Sequence, residues 1–120
     1  EDNLERSEYI SQVISFASDD RDFVTALIVP DMDMLAGLAK KLDIKYDKIN
    51  ELTDNDIVHN FFESEIDVLQ KQIAKYERVR KFALLDTPFT IESGELTPTM
   101  KLKRKVIEER FKGLIDSFYK

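Results

Sequence analysis

Phe23-Val24-Thr25-Ala26-Leu27-Ile28-Val29-Pro30 decides how this chain is read. A succession of apolar and β-branched residues closed by a proline describes a strand that is apolar on both faces. A strand with no solvent side belongs in the middle of a sheet, covered above and below. Working back from it, Ile10 to Ala17 alternates. Ile10, Ile14 and Phe16 share a face with Gln12, while Val13 and Ala17 point the other way. This reads as a second strand, with Asp19-Asp20-Arg21-Asp22 as a polar turn between the two. So short a separation points to an antiparallel pair. Residues 1–9 are polar and read as the continuation of a helix whose beginning lies before Glu1.

Working forward, Asp31 or Asp33 can cap a helix carrying Met34, Leu35, Leu38, Ala39 and Leu42 at helical spacing. A short helix is expected around Tyr46–Leu52. Thr53 or Asp54 is then expected to cap a long helix with Ile57, Val58, Phe61, Phe62, Ile66, Leu69, Ile73 and Tyr76 on one stripe. Phe82-Ala83-Leu84-Leu85 reads as a third strand, ended near Pro88. Thr90-Ile91-Glu92 and Glu95-Leu96-Thr97 flank Ser93-Gly94, the pattern of a small β-hairpin. A last helix from about Arg104 would bury Val106, Ile107, Phe111, Leu114, Ile115 and Phe118. The expected fold class is α+β: a sheet of about three strands packed with helices, plus a separate hairpin before the C-terminal helix. At 120 residues the chain reads as one domain.

The chemistry open to such a chain is narrowed by what it contains. It has no cysteine, which removes disulfides and thiolate metal sites and fits a reducing compartment. Its apolar runs are far too short to span a membrane, and no charged-then-apolar leader is visible. The formal charge is −6, unevenly spread. Residues 101–112 hold six cations (Lys101, Lys103, Arg104, Lys105, Arg110, Lys112) against Glu108 and Glu109, a surplus of four that leaves −10 on the rest. An acidic body repels nucleic acid, so the basic segment suits a local anionic ligand better than a long polyanion.

Other candidates have plainer readings. His59, the only histidine, stands beside the apolar stripe of the long helix with no carboxylate and nucleophile marked out for it, so a structural role is expected. Asp19/Asp20, Asp31/Asp33 and Glu63/Glu65 lack the spacing of a calcium loop and read as caps, turns and solvated faces. Phe61-Phe62 reads as core. The run Lys101 to Lys105 differs, because cations at the start of a helix oppose its dipole. A run of four basics ordinarily reads as a solvated helix start or a weak polyanion site; the other reading open to Gly94-Glu95-Leu96-Thr97-Pro98-Thr99-Met100-Lys101-Leu102-Lys103-Arg104-Lys105 is a turn that presents lysine to a phosphate or carboxylate in another domain.

That segment, extended from Thr90 to Ile107, resembles the C-terminal signature of the AMP-forming long-chain fatty acyl-CoA synthetases, within the adenylate-forming superfamily. Phe23 to Pro30 resembles the family's strand with its closing proline, and Tyr76-Glu77-Arg78-Val79-Arg80-Lys81-Phe82 its helix-to-strand step. The resemblance implies that the whole chain is the mobile C-terminal lid of a larger two-domain ligase, with the N-terminal domain of the same polypeptide as its partner. It implies ATP, Mg2+ and coenzyme A as requirements of the full-length enzyme, with none bound by this domain alone, and a fatty acid as substrate. The implied reaction condenses the fatty acid with ATP to an acyl-adenylate; the lid then rotates and coenzyme A attacks to give the thioester. The implied catalytic residue is Lys101, aligned with the lysine of the Gly-Lys-Ile element of other branches, with Met100 where they have glycine. A lysine there supplies a compact positive charge as a carboxylate attacks a phosphate.

The family's hinge and glycine-rich loop would precede Glu1, so no coenzyme A contact is carried over. Lys103, Arg104 and Lys105 match basic positions of the signature without an assigned ligand, and a surface role facing the N-terminal domain is equally open to them. A cytoplasmic enzyme, with or without peripheral attachment to a membrane, is the expected setting. Two alternatives stand beside this reading: the lid of an acyl-carrier-protein ligase, or a small acidic interaction module that docks an anionic partner through its basic segment.

Overall fold

The computed structural model describes residues 2–17, 23–73 and 78–119. At its centre is the strand β2 (Val24–Pro30), paired antiparallel with β1 (Ile10–Phe16) on one side and parallel with β3 (Val79–Leu84) on the other. Ala26, Leu27, Ile28 and Val29 are completely buried in succession. Alternation sends Ala26 and Ile28 into one apolar layer and Leu27 and Val29 into the other. Burying aliphatic side chains of this size contributes about 1.5–3 kcal/mol each, so the middle strand serves two cores at once.

The first layer is built by α1 (Asp2–Glu5), α2 (Met32–Lys41), α3 (Ile49–Thr53) and α4 (Asp56–Leu69). Asp31 caps α2, its Oδ1 accepting from Met34 N–H at 3.0 Å, and Asp33 lies inside the first turn. Leu42, expected in the core, ends the helix instead and is exposed. Beyond it Asp43 takes a left-handed φ of 56°, with Asp43 N–H donating to Lys40 O and Ile44 N–H to Ala39 O, the double closure of a Schellman motif. The cap of α4 is Asn55, whose Oδ1 accepts from Ile57 and Val58 N–H, rather than Thr53 or Asp54. Val58, Phe62 and Ile66 are its buried stripe; Ile57, one residue out of phase, is 56% exposed. The helix ends at Leu69, before Ile73, and Tyr76 lies outside the described residues, as does the turn 19–22.

α4 is then stitched to β3. The Gln70 amide is buried and clasps both backbone groups of Val79, accepting from its N–H at 2.7 Å and donating to its carbonyl at 3.2 Å. The Arg78 guanidinium donates to the carbonyls of Ile73 and Lys71.

The second layer packs Phe89, Leu96, Ile107 and Ile115 onto Ile14, Phe16, Leu27 and Val29. Its helices are α5 (Arg104–Arg110) and α6 (Lys112–Ser117), two segments where a single helix was expected, divided at Phe111 (φ −108°, ψ 18°). Ile107 and Ile115 are buried, and Leu114 is left exposed. The molecule is thus α+β, a three-stranded mixed sheet with helices on both faces.

The sheet also corrects one side chain. Ile10 packs in the first layer with Val13, not on the face of Ile14 and Phe16. The register steps from Ile10↔Pro30 to Gln12↔Val29, leaving Ser11 as an extra residue. One such bulge reverses which way the preceding side chain points.

Candidate functional site

The hairpin before the last helices is displaced from its expected centre. Ser93-Gly94 does not join two strands. Thr90 and Ser93 close on each other: Ser93 N–H donates to Thr90 Oγ1 at 3.0 Å and Thr90 N–H to Ser93 Oγ at 3.2 Å. Gly94, at φ 85°, returns its N–H to Ile91 O. The side chains thus take the backbone groups that a ladder would have used. The antiparallel pairing lies further on, as a bridge between Leu96 and Leu102 with Lys103 N–H donating to Glu95 O at 2.8 Å.

Between those strands Pro98-Thr99-Met100 forms a three-residue loop. Met100 N–H donates to Thr97 O and Thr97 N–H to Lys101 O, each at 2.8 Å. Met100 has φ 67°, and a left-handed third residue is what such a loop requires to match the strand twist. Glycine fits that requirement best. Lys101 is the first residue after the loop and is exposed. Its N–H donates to Thr97 Oγ1 at 3.0 Å. Its ammonium forms no ion pair or hydrogen bond among the described residues.

The base of the hairpin is fastened to α5. Glu95 is buried, with Oε1 accepting from Ser93 Oγ at 2.6 Å and Oε2 lying 3.6 Å from Arg110 Nη1. Arg104 donates to the carbonyl of Ser15 and lays its guanidinium over the Phe16 ring, 5.7 Å from its centroid, tying the start of α5 to the end of β1. Of the basic run, Arg104 therefore has a structural task. Lys101, Lys103 and Lys105 are exposed cations, and Lys103 stands at the cap position of α5 without a side-chain capping bond. The sequence reading followed the lysines and passed over Thr97; the Thr-Pro pair, a turn signal, was the available clue.

The remaining candidates fall into the packing. His59 stacks flat on Phe82, ring centroids 4.3 Å apart. Phe62 is fully buried, and Phe61 meets Tyr9 edge-on at 4.9 Å. Asp31 is a helix cap, Glu65 accepts from Ser7 Oγ, and Asp19 and Asp20 lie outside the described residues. Among the described residues no three His, Cys, Asp or Glu side chains converge on one point. A cleft of about 490 Å³ between α4 and β3 is lined by Glu63, Asp67, Gln70, Arg78 and Arg80. Its charges are of both signs and two of its residues are already committed to backbone groups.

No family model matches the chain. A long-chain-fatty-acid–CoA ligase of Mycobacterium tuberculosis is 36% identical to it over 125 aligned residues, covering 99% of this chain and 20% of the relative. Long-chain-fatty-acid–CoA ligase 5 of Mus musculus is 33% identical over 116 residues, 95% of this chain and 17% of the relative. The chain therefore spans about a fifth of the length of these relatives. In fold it is similar to the A-PCP didomain of the carboxylic acid reductase of Segniliparus rugosus, solved in complex with AMP. The TM-score is 0.79 at 22% identity, over 98% of this chain and 15% of that one. The sequence match along essentially the whole chain and the shared fold agree, and the chain belongs to the adenylate-forming superfamily as a C-terminal domain of the kind carried by long-chain-fatty-acid–CoA ligases.

Proposed function

We propose that the chain is the mobile C-terminal lid of a long-chain fatty acid–CoA ligase and that Lys101 serves its first half-reaction. In that step an oxygen of the fatty acid carboxylate attacks the α-phosphorus of ATP, the bond to the bridging oxygen breaks, and pyrophosphate leaves. Negative charge gathers from both partners. An ammonium placed beside them before the reaction lowers the barrier without any rearrangement at the moment of attack. In the second half-reaction the sulfur of coenzyme A attacks the acyl carbonyl and AMP leaves.

The observation that carries the reading is the mounting of Lys101. It is an exposed cation, immediately after a left-handed residue, on a loop whose base is anchored by Glu95 and Leu96. A projecting lysine on a short, closed hairpin is suited to reach into a site on another domain. In this reading magnesium, the nucleotide and coenzyme A are held by the rest of the parent enzyme.

In the full-length enzyme Lys101→Ala is expected to slow acyl-adenylate formation by about 100-fold or more. Thioester formation from supplied acyl-adenylate should change by less than about 3-fold. Pyrophosphate exchange and a thioester assay separate the two steps. Equal losses in both would overturn the role given to Lys101. The 120-residue chain alone is expected to have no ligase activity.

A further inference from the structure

We infer that Thr97 is the positioning residue for Lys101, and that its hydroxyl oxygen holds the direction in which the lysine projects. The inference rests on the role proposed above for Lys101. Thr97 meets the loop at four points. Its N–H donates to Lys101 O and its carbonyl accepts from Met100 N–H, both at 2.8 Å. Its Oγ1 accepts from Lys101 N–H at 3.0 Å and lies 3.0 Å from Thr99 Oγ1.

In a regular antiparallel pair, Lys101 N–H would bond the carbonyl of the residue opposite. Here that carbonyl bonds Met100 N–H, because the loop closes on a left-handed residue, and the Thr97 hydroxyl takes the place of the missing ladder acceptor. Both backbone groups of Lys101 thus end on the same residue, one on its backbone and one on its side chain. The peptide plane that carries the Lys101 Cα is fixed, although the side chain beyond it stands in solvent. Threonine suits the position because its branched Cβ restricts the rotamer that aims Oγ1.

Removing the hydroxyl oxygen leaves an N–H that solvent can reach, so folding should suffer little. The geometry of the reacting charge should suffer more, since misplacement by about 1 Å can cost on the order of 100-fold in rate. The test uses full-length enzyme with Thr97→Val, Thr97→Ser, Lys101→Ala and the Thr97→Val/Lys101→Ala double variant. For Thr97→Val we expect acyl-adenylate formation to fall by about 10-fold, with KM for ATP and for fatty acid within about 2-fold and a thermal midpoint within about 2 °C. Thr97→Ser should recover activity to within about 3-fold of the native enzyme, and the double variant should be no slower than Lys101→Ala.

The inference is overturned if Thr97→Val matches the native enzyme or if the Val and Ser variants lose equally. It is also overturned if Thr97→Val slows the Lys101→Ala enzyme by the factor it costs the native one. If Lys101→Ala loses adenylation while Thr97→Val does not, only the inference falls. If Lys101→Ala retains adenylation, the reading of Lys101 falls and takes the inference with it.

Discussion

Among the described residues two with side chains, Met100 and Asp43, hold left-handed backbone conformations, at φ 67° and 56°. They do so at different cost. A left-handed residue with a Cβ loses roughly 1–2 kcal/mol, and short polar side chains such as Asp recover part of this by local hydrogen bonding. A methionine has no such recovery. Met100 is also 64% exposed, so packing does not repay the strain. Met100→Gly should therefore stabilise the chain by about 0.5–1 kcal/mol after the extra entropy of glycine is counted, and Asp43→Gly by less. Thermal unfolding of the two variants side by side checks the order, and a larger gain at Asp43 would contradict it. The loop position was readable only in part. A methionine does not advertise a left-handed turn, so the hairpin was sought at Ser93-Gly94.

At the scale of the element, α3 shows how a short helix is held. It has one turn and little more, too short to persist on its own propensity. Glu51 reaches back over its start, Oε2 accepting from Lys48 N–H at 2.7 Å and from Asp47 N–H at 2.9 Å. These backbone N–H groups, Lys48 first, favour the ionised carboxylate and lower its pKa below the ordinary 4.5. A carboxylate whose folded pKa is depressed adds stability that is full above its unfolded pKa and is lost as pH falls through the folded one. Protection of the Lys48 and Asp47 amides should therefore weaken as pH drops below the ordinary carboxylate range. A Glu51→Gln chain should lack that pH dependence, and amide exchange followed by NMR would read it; the same weakening with falling pH in both chains would refute the assignment. Caps of this kind are legible as residue types but not always as positions. Asn55 was passed over for Thr53 and Asp54 because all three are good caps in a row, and only the phase of Val58, Phe62 and Ile66 against the sheet decides among them.

For the whole molecule, the middle strand is the common wall of two cores, and its neighbours in sequence act on opposite sides. Leu27→Ala and Ile28→Ala should each cost about 2–5 kcal/mol, a large part of the 5–15 kcal/mol that holds a domain of this size. Hydrogen exchange should differ between them. Leu27→Ala should loosen α5 and α6 most, and Ile28→Ala should loosen α2 and α4. The same pattern from both variants would show that the layers are not separable. The two-sided apolar character of Phe23 to Val29 made this central position legible from residue types alone. The parallel direction of β3 was not, because it depends on a crossover through three helices rather than on any local pattern. Nor was the side taken by Ile10, since alternation counts residues and the bulge at Ser11 adds one.

One small bond pattern reaches beyond the single molecule. β3 lies at the border of the sheet, where an unpaired run of N–H and C=O groups is a template on which another chain could add a strand. At Val79, where that border begins, the Gln70 amide already occupies donor and acceptor together, as a neighbouring strand would. Arg80 and Lys81 follow it, both exposed and both positive. An incoming strand would have to dislodge a buried amide and then lie against two like charges, so this border of the sheet is guarded against self-association and the aggregation it would seed.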